Sequence, residues 1–318
     1  MDGTARLLRP KSVAVVGGGQ WCANVVEACR SGGFAGPIWP GHPTRESVGG
    51  LPAFRDIADL PAVPDAAFIG VNRDATIEAV RALSVRGAGG AVCFASGFAE
   101  SGDADGVGRQ RALVEAAGDV TLLGPNCYGF LNYLDGVALW PDQHGGRQVS
   151  RGVAIIAQSS NIALNITKQR RGLPVAFVAT VGNQAQTGLS HLARALLADE
   201  RVTALGLYIE GIDDLAAFEA MAVEAHALGK PIIAIKSGRS DASRAASVSH
   251  TAAIVGSDRG ADALFARLGI GRTASLPAFL EALKLAHVTG RLPSARVASM
   301  SCSGGEAGLV ADTVHGHK

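Results

Sequence analysis

Residues 12–22 read SVAVVGGGQWC. A short apolar run, Val13 to Val16, ends in three successive glycines, and a helical pattern extends from Gln20 to Gly32. β-Branched residues favour a pleated, buried strand. Glycines directly after it allow a sharp turn and close approach of a ligand to the backbone. This is one strand, one turn and one helix, and the same phrase recurs outward from it. The spacing predicts short strands at PIWP (37–40), AAFIGV (66–71), GAVCFAS (90–96) and VTLLGPN (120–126). Helices are predicted from Arg73 to about Arg86 and from Gly106 to Gly118. Continuous apolar strands separated by helices imply a parallel sheet covered on both faces.

A charged, glycine-containing stretch, PDQHGGRQVSRG (141–152), breaks the rhythm and marks a domain boundary. A second alternation follows, with strands expected at VAIIAQ (153–158), PVAFVATVG (174–182), ALGLYIEG (204–211) and PIIAIKSG (231–238). The sequence RVASMSCSGGEAGLVADTV (296–314) then opens another strand, glycine turn and helix. The expected organisation is an α/β chain with a Rossmann-like domain at 1–145, a second, flavodoxin-like domain at 146–292 and an incomplete third α/β unit at 293–318. One βα unit cannot bury its own faces, so the last segment reads as a truncated domain or one completed elsewhere.

Composition narrows the function. Of 318 residues, 47% are apolar and 18% charged, which marks a globular protein of about two domains. The formal net charge of +1 recruits neither nucleic acid nor an anionic membrane. Cys22, Cys29, Cys93, Cys127 and Cys302 are odd in number and form no CxxC pair, so neither a disulfide framework nor a zinc site is indicated. A reducing cytoplasm is the expected setting. No apolar signal core opens the chain, and no window approaches the roughly 20 apolar residues of a membrane span.

The glycine turn suits a phosphate, because it aims backbone N–H groups and a helix N-terminus at one point. The dinucleotide fingerprint is incomplete: Gly17 and Gly19 fit, but Cys22 holds the third glycine position, and no acid follows PIWP to hold a ribose diol. NAD binding is thereby weakened, while another phosphate-bearing nucleotide such as coenzyme A stays open. SGFAES (96–101) and GPNCYGFLN (124–132) also follow strands, so Ser96, Gly97, Pro125 and Asn126 belong to the crevice at the strand ends. Cys127 has no activating base beside it in sequence and reads as a buried, inert thiol.

Seven motifs occur in a fixed order: PKSVAVVG, GPIWPGHP, SGFAE, GPNCYG, YIEGI, KPIIAIKSGRS and SHTAAIVGSD. In that order they resemble the NDP-forming acyl-CoA synthetases, relatives of the succinyl-CoA synthetase α subunit, over about residues 8–290. The resemblance implies that a carboxylic acid, CoA and ATP give an acyl-CoA, ADP and phosphate. It implies that His250 of SHTAAIVGSD carries the phosphoryl group, that Glu210 of YIEGI orients its imidazole, and that Ser159, Ser160 and Asn161 of AQSSNIALN cradle the phosphate at a helix start. CoA is expected on Gly17, Gly18 and Gly19, with Arg45 as the nearest cation where relatives often carry a lysine. No stretch reads as an ATP-grasp domain or as the GxxxxGK phosphate loop, so ATP and Mg2+ are expected through an ATP-grasp β-type subunit or fused domain, in an oligomer.

The chain departs from the common family pattern at Ser160-Asn161, where many relatives read Ser-Gly, and at VGNQAQTG (181–188), where many are more acidic. These loops border the expected acyl site, so the choice of acid, short-chain or aromatic, is left open. Two other classes remain beside the ligase: a non-catalytic CoA-binding regulatory module, and an NAD-linked sensor or oxidoreductase. A serine hydrolase at Ser159 is disfavoured because the GxSxG elbow is absent.

Overall fold

The structure is a computed structural model that describes residues 3–240, 258–294, 296 and 298–315. His250 lies outside the described residues. Labels below number the described elements in chain order.

The first sheet has five parallel strands: β1 (Val13–Val16), β2 (Ile38–Gly41), β5 (Ala66–Ile69), β6 (Gly90–Cys93) and β7 (Thr121–Leu123), in spatial order β2-β1-β5-β6-β7. Between β2 and β5 lies a two-strand hairpin, β3 (Ser47–Val48) and β4 (Leu51–Pro52). The helices are α1 (Gly3–Leu8), α2 (Gln20–Ser31), α3 (Arg73–Val85) and α4 (Ala104–Ala117). Successive strand residues point to opposite faces, and the core splits accordingly. Val13, Val15, Ala66 and Phe68 join Cys22, Val25, Val26 and Cys29 of α2 in one cluster. Ala14, Ala67, Ile69 and Ala91 join Val80 and Leu83 of α3 in another. This two-sided burial is the reason these strands are apolar without alternation.

The second sheet has seven strands, in order β14-β13-β12-β10-β11-β8-β9. Five are β10 (Gly152–Ala157), β11 (Val175–Thr180), β12 (Val202–Ile209), β13 (Ile232–Lys236) and β14 (Gly271–Arg272), all parallel to their neighbours among these five. The other two, β8 (Phe130–Asn132) and β9 (Val137–Leu139), form an antiparallel hairpin that pairs with β11. Helices α5 (Ser160–Thr167), α6 (Leu189–Leu197), α7 (Leu215–Ala227), α8 (Asp258–Leu268) and α9 (Leu276–Thr289) cover it. Each predicted strand of both alternations forms within a few residues of its expected bounds. The β8–β9 hairpin lies before the breaking stretch at 141–152, yet its hydrogen bonds belong to the second sheet. Sheet pairing therefore crosses the expected boundary.

The seam between the sheets is closely bonded. Gln186 accepts from the Leu122 N–H at 2.7 Å and donates to the Val120 carbonyl at 3.1 Å, tying the second domain to β7. Asn132 Nδ2 donates to the Leu8 carbonyl at 3.0 Å, and Asn24 Nδ2 donates to the Pro141 carbonyl at 2.8 Å. One core cluster runs from Leu7 to Ile270 across both sheets.

The strand expected in the 296–314 stretch does not form among its described residues. Ser303 caps the helix α10 (Gly304–Val314), all of whose residues are exposed. A lone strand has no ladder partner here, and a lone helix has no face to bury. Among the described residues, no helix is long and apolar enough to cross a membrane.

Candidate active site

In each sheet the chain leaves one central strand, returns on one side and then crosses to the other. In the first sheet that reversal lies between β1 and β5, in the second between β10 and β12. Ligands in open α/β sheets sit outside the strand carboxyl ends at such switch points. Here both switch points open into one cavity of about 1040 Å3, to which Gly70 and Val71 after β5, Ser159 and Ser160 after β10, and Glu210 after β12 all contribute.

On the second sheet, Ser159 is the N-cap of α5 and its Oγ accepts from the Ile162 N–H at 3.3 Å. Its hydroxyl hydrogen is free to donate into the cavity, as are the Ser160 and Asn161 N–H groups, the Ile162 and Ala163 N–H groups being taken by Ser159. Ser160 Oγ accepts from the Tyr128 N–H at 3.3 Å, which joins the cradle to the GPNCYG loop. Asn161 completes the rim. Across from them stands Glu210, partly buried, on a turn fixed from two sides. The buried Gln158 accepts from the backbone N–H groups of Glu210 and Gly211, and donates to the Gly211 carbonyl at 2.8 Å. The Lys236 ammonium, buried and held below its ordinary pKa chiefly by desolvation, donates to the Glu210 carbonyl at 2.8 Å. Gln158 and Lys236 were missed from sequence; the polar residue ending the apolar run VAIIAQ was the available signal.

On the first sheet, Gly17 has φ +125°, and a Cβ there would lie 2.7 Å from the Gly70 carbonyl oxygen. Only glycine fits that backbone and that spacing. A Cβ on Gly18 would run into the His42 ring and lie 2.8 Å from Arg45 Cδ, so Arg45 does lie over the turn. Gly19 is the N-cap of α2 and supplies no side-chain cap, which leaves the first N–H groups of that helix for a ligand. At the end of β2, where a dinucleotide site would carry an acid, stands His42. Its Nδ1 accepts from the Arg45 N–H at 2.9 Å and the Thr44 N–H at 3.2 Å, which leaves the ring hydrogen on Nε2.

The loops after β6 and β7 complete the wall. Ser96 and Asn126 line the cavity. Gly97, with φ +94°, packs against the guanidinium of Arg73, a cavity cation that sequence reasoning passed over. Its N–H donates to Glu100 Oε1 at 2.6 Å, and Glu100 also accepts from Asn183 Nδ2 of the second domain. Pro125 lies outside the lining, but its carbonyl accepts from the Asn183 N–H at 3.0 Å. Trp21, Phe94 and Tyr128 also face the cavity and were not expected. Cys127, 2% exposed, has its thiol pushed up to about 12 by burial, which keeps it protonated and unreactive.

Residues 150–286 match the family described as succinyl-CoA ligase like flavodoxin domain, and residues 11–133 match the CoA binding domain. A trans-feruloyl-CoA synthase of an unknown prokaryotic organism is 32% identical over 318 residues, 96% of this chain and 45% of that protein. The α subunit of acetate–CoA ligase (ADP-forming) II of Pyrococcus furiosus is 30% identical over 288 residues, 88% of this chain and 61% of that subunit. Among solved structures, acetyl-coenzyme A synthetase 1 of Ca. Korarchaeum cryptofilum, in complex with phosphate and ADP, superposes with a TM-score of 0.86 at 26% identity, covering 99% of this chain and 68% of that one. The chain thus spans less than half of the synthase and under two thirds of the subunit. With a CoA-binding domain and a succinyl-CoA-ligase-like flavodoxin domain in that order, and with switch points that share one cavity, the chain carries the two domains found in its ADP-forming acyl-CoA synthetase relatives.

Proposed function

We propose that this chain supplies the CoA-binding and acyl-transfer part of an ADP-forming acid–CoA ligase, and that an ATP-grasp subunit or domain supplies ATP and Mg2+. The observation that carries this reading is the cavity shared by the two sheets, with an anion cradle and the Glu210 turn on the second sheet and the loops after β5 and β6 on the first.

His250 is the phosphoryl carrier. Glu210 accepts a hydrogen bond from one imidazole N–H, which fixes the tautomer and leaves the other nitrogen nucleophilic. Phosphohistidine formation releases ADP. The Ser159 hydroxyl and the α5 N-terminus hold the phosphoryl oxygens. A substrate carboxylate oxygen then attacks phosphorus, the P–N bond breaks, and an acyl phosphate forms. The CoA sulfur, after losing its proton, attacks the acyl carbon and expels phosphate. CoA fits the first domain, because its phosphates can approach the open Gly19 position and the uncapped start of α2, with Arg45 and Arg73 as counter-charges. The protein's contribution is positioning and charge stabilisation.

The test is phosphorylation of the purified chain by radiolabelled ATP in a lysate that supplies the ATP-grasp partner, with His250→Ala alongside. Acid-labile, alkali-stable label on the wild type alone is the expected result. Label on both proteins removes the role given to His250, and label on neither in a lysate with demonstrated partner activity overturns the ligase reading.

A further inference from the structure

The cavity holds an aromatic wall that the carrier chemistry does not use. The Trp21 indole lies 5.5 Å from the Phe94 ring at 51°, and Phe94 lies 5.9 Å from Tyr128 at 52°. All three line the cavity. Two buried rings stand behind them. Phe68 is 5.8 Å from Phe94, and Trp140 meets Tyr128 edge-on at 5.2 Å and 78°. Aromatic residues make up only 5% of the chain, so five contacting rings at one site are a concentration that packing alone does not require.

The wall is both rigid and open. Phe68 and Trp140 fix the tilt of the rings in front, while Trp21 keeps 45% of its surface exposed at the first turn of α2. The wall also adjoins the cradle, because the Tyr128 N–H donates to Ser160 Oγ. An acid whose carboxylate meets the phosphoryl group held at the Ser159–Ser160 cradle would therefore lay its other end against these rings. A two-carbon acid leaves them uncovered; a planar ring gains tilted and offset contacts with each. Resting on the site reading above, we propose that the acyl group carried by this protein is aromatic, and that Trp21, Phe94 and Tyr128 select it.

The test compares cinnamoyl-CoA with acetyl-CoA, using free CoA as reference, by titration calorimetry on the whole chain. The expected result is that cinnamoyl-CoA binds about tenfold more tightly than acetyl-CoA. Trp21→Ala brings that ratio close to one, and Trp21→Phe restores most of it. Equal affinity of the two thioesters for the wild type overturns the inference while CoA binding stands. So does a ratio that survives in Trp21→Ala, because Trp21 would then be touching the pantetheine arm common to both. Failure of CoA and both thioesters to bind removes the site reading and this inference together.

Discussion

The two switch points use one architecture for opposite ends. After β1 the chain removes side chains: Gly17 cannot carry a Cβ against the Gly70 carbonyl, and Gly19 leaves the start of α2 uncapped. After β10 it keeps them: Ser159 caps α5, Gln158 clamps the turn at Glu210, and Ser160 is bonded to the loop before β8. A bare turn suits a ligand held by its phosphates against backbone. A furnished turn suits a group that must be oriented and then released to chemistry. The difference teaches that a strand–turn–helix unit is only a holder, and that the side chains in the turn decide whether it binds or reacts.

This contrast can be broken on either side. The largest effect is expected at the furnished turn: Glu210→Gln should slow phosphorylation at His250 by about 100-fold, measured as initial rate with the ATP-grasp partner, and leave CoA affinity unchanged. A parallel fall in CoA affinity would show that the turns are not separate in role. Next, Gln158→Ala strips buried hydrogen bonds from the Glu210 turn and should lower stability by about 2 kcal/mol, read from urea unfolding. An unchanged midpoint would mean that Lys236 alone holds the turn.

At the bare turn, Gly18→Ala should weaken CoA binding about tenfold, because its Cβ displaces His42 and Arg45, whose side chains can yield. Full affinity would show that CoA does not lie close to this backbone. The smallest effect is Ser159→Ala, which removes one helix cap at about 1 kcal/mol and should also reduce phosphate retention on the protein. If stability falls and phosphate retention does not, Ser159 is only a cap.

Much of the site was legible because it depends on local grammar. The three glycines, the serines opening α5 and the acid closing β12 sit next to strand ends that hydrophobic runs reveal. Arg45 was read as the nearest cation in the loop after PIWP; that it lies against Gly18 follows from the path of that loop after β2. Trp21, Phe94 and Tyr128 were invisible as a group, since they lie on three separate loops and helix ends that only the folded sheet brings together. The β8–β9 hairpin was missed for a related reason: each strand is three residues long, too short for a periodicity to show. Its place in the second sheet follows from pairing with β11, which has no sequence signature.

The sequence by itself determined the elements: which stretches are buried strands, where the glycine turns fall, and in what order the motifs run. Those are decided by side-chain period and by the few residues a turn tolerates, both local properties. The tertiary structure decided strand order, and with it where the two reversals lie and that they face a single cavity. Strand order depends on which hydrophobic faces bury one another across long separations in the chain, and no local pattern encodes that choice.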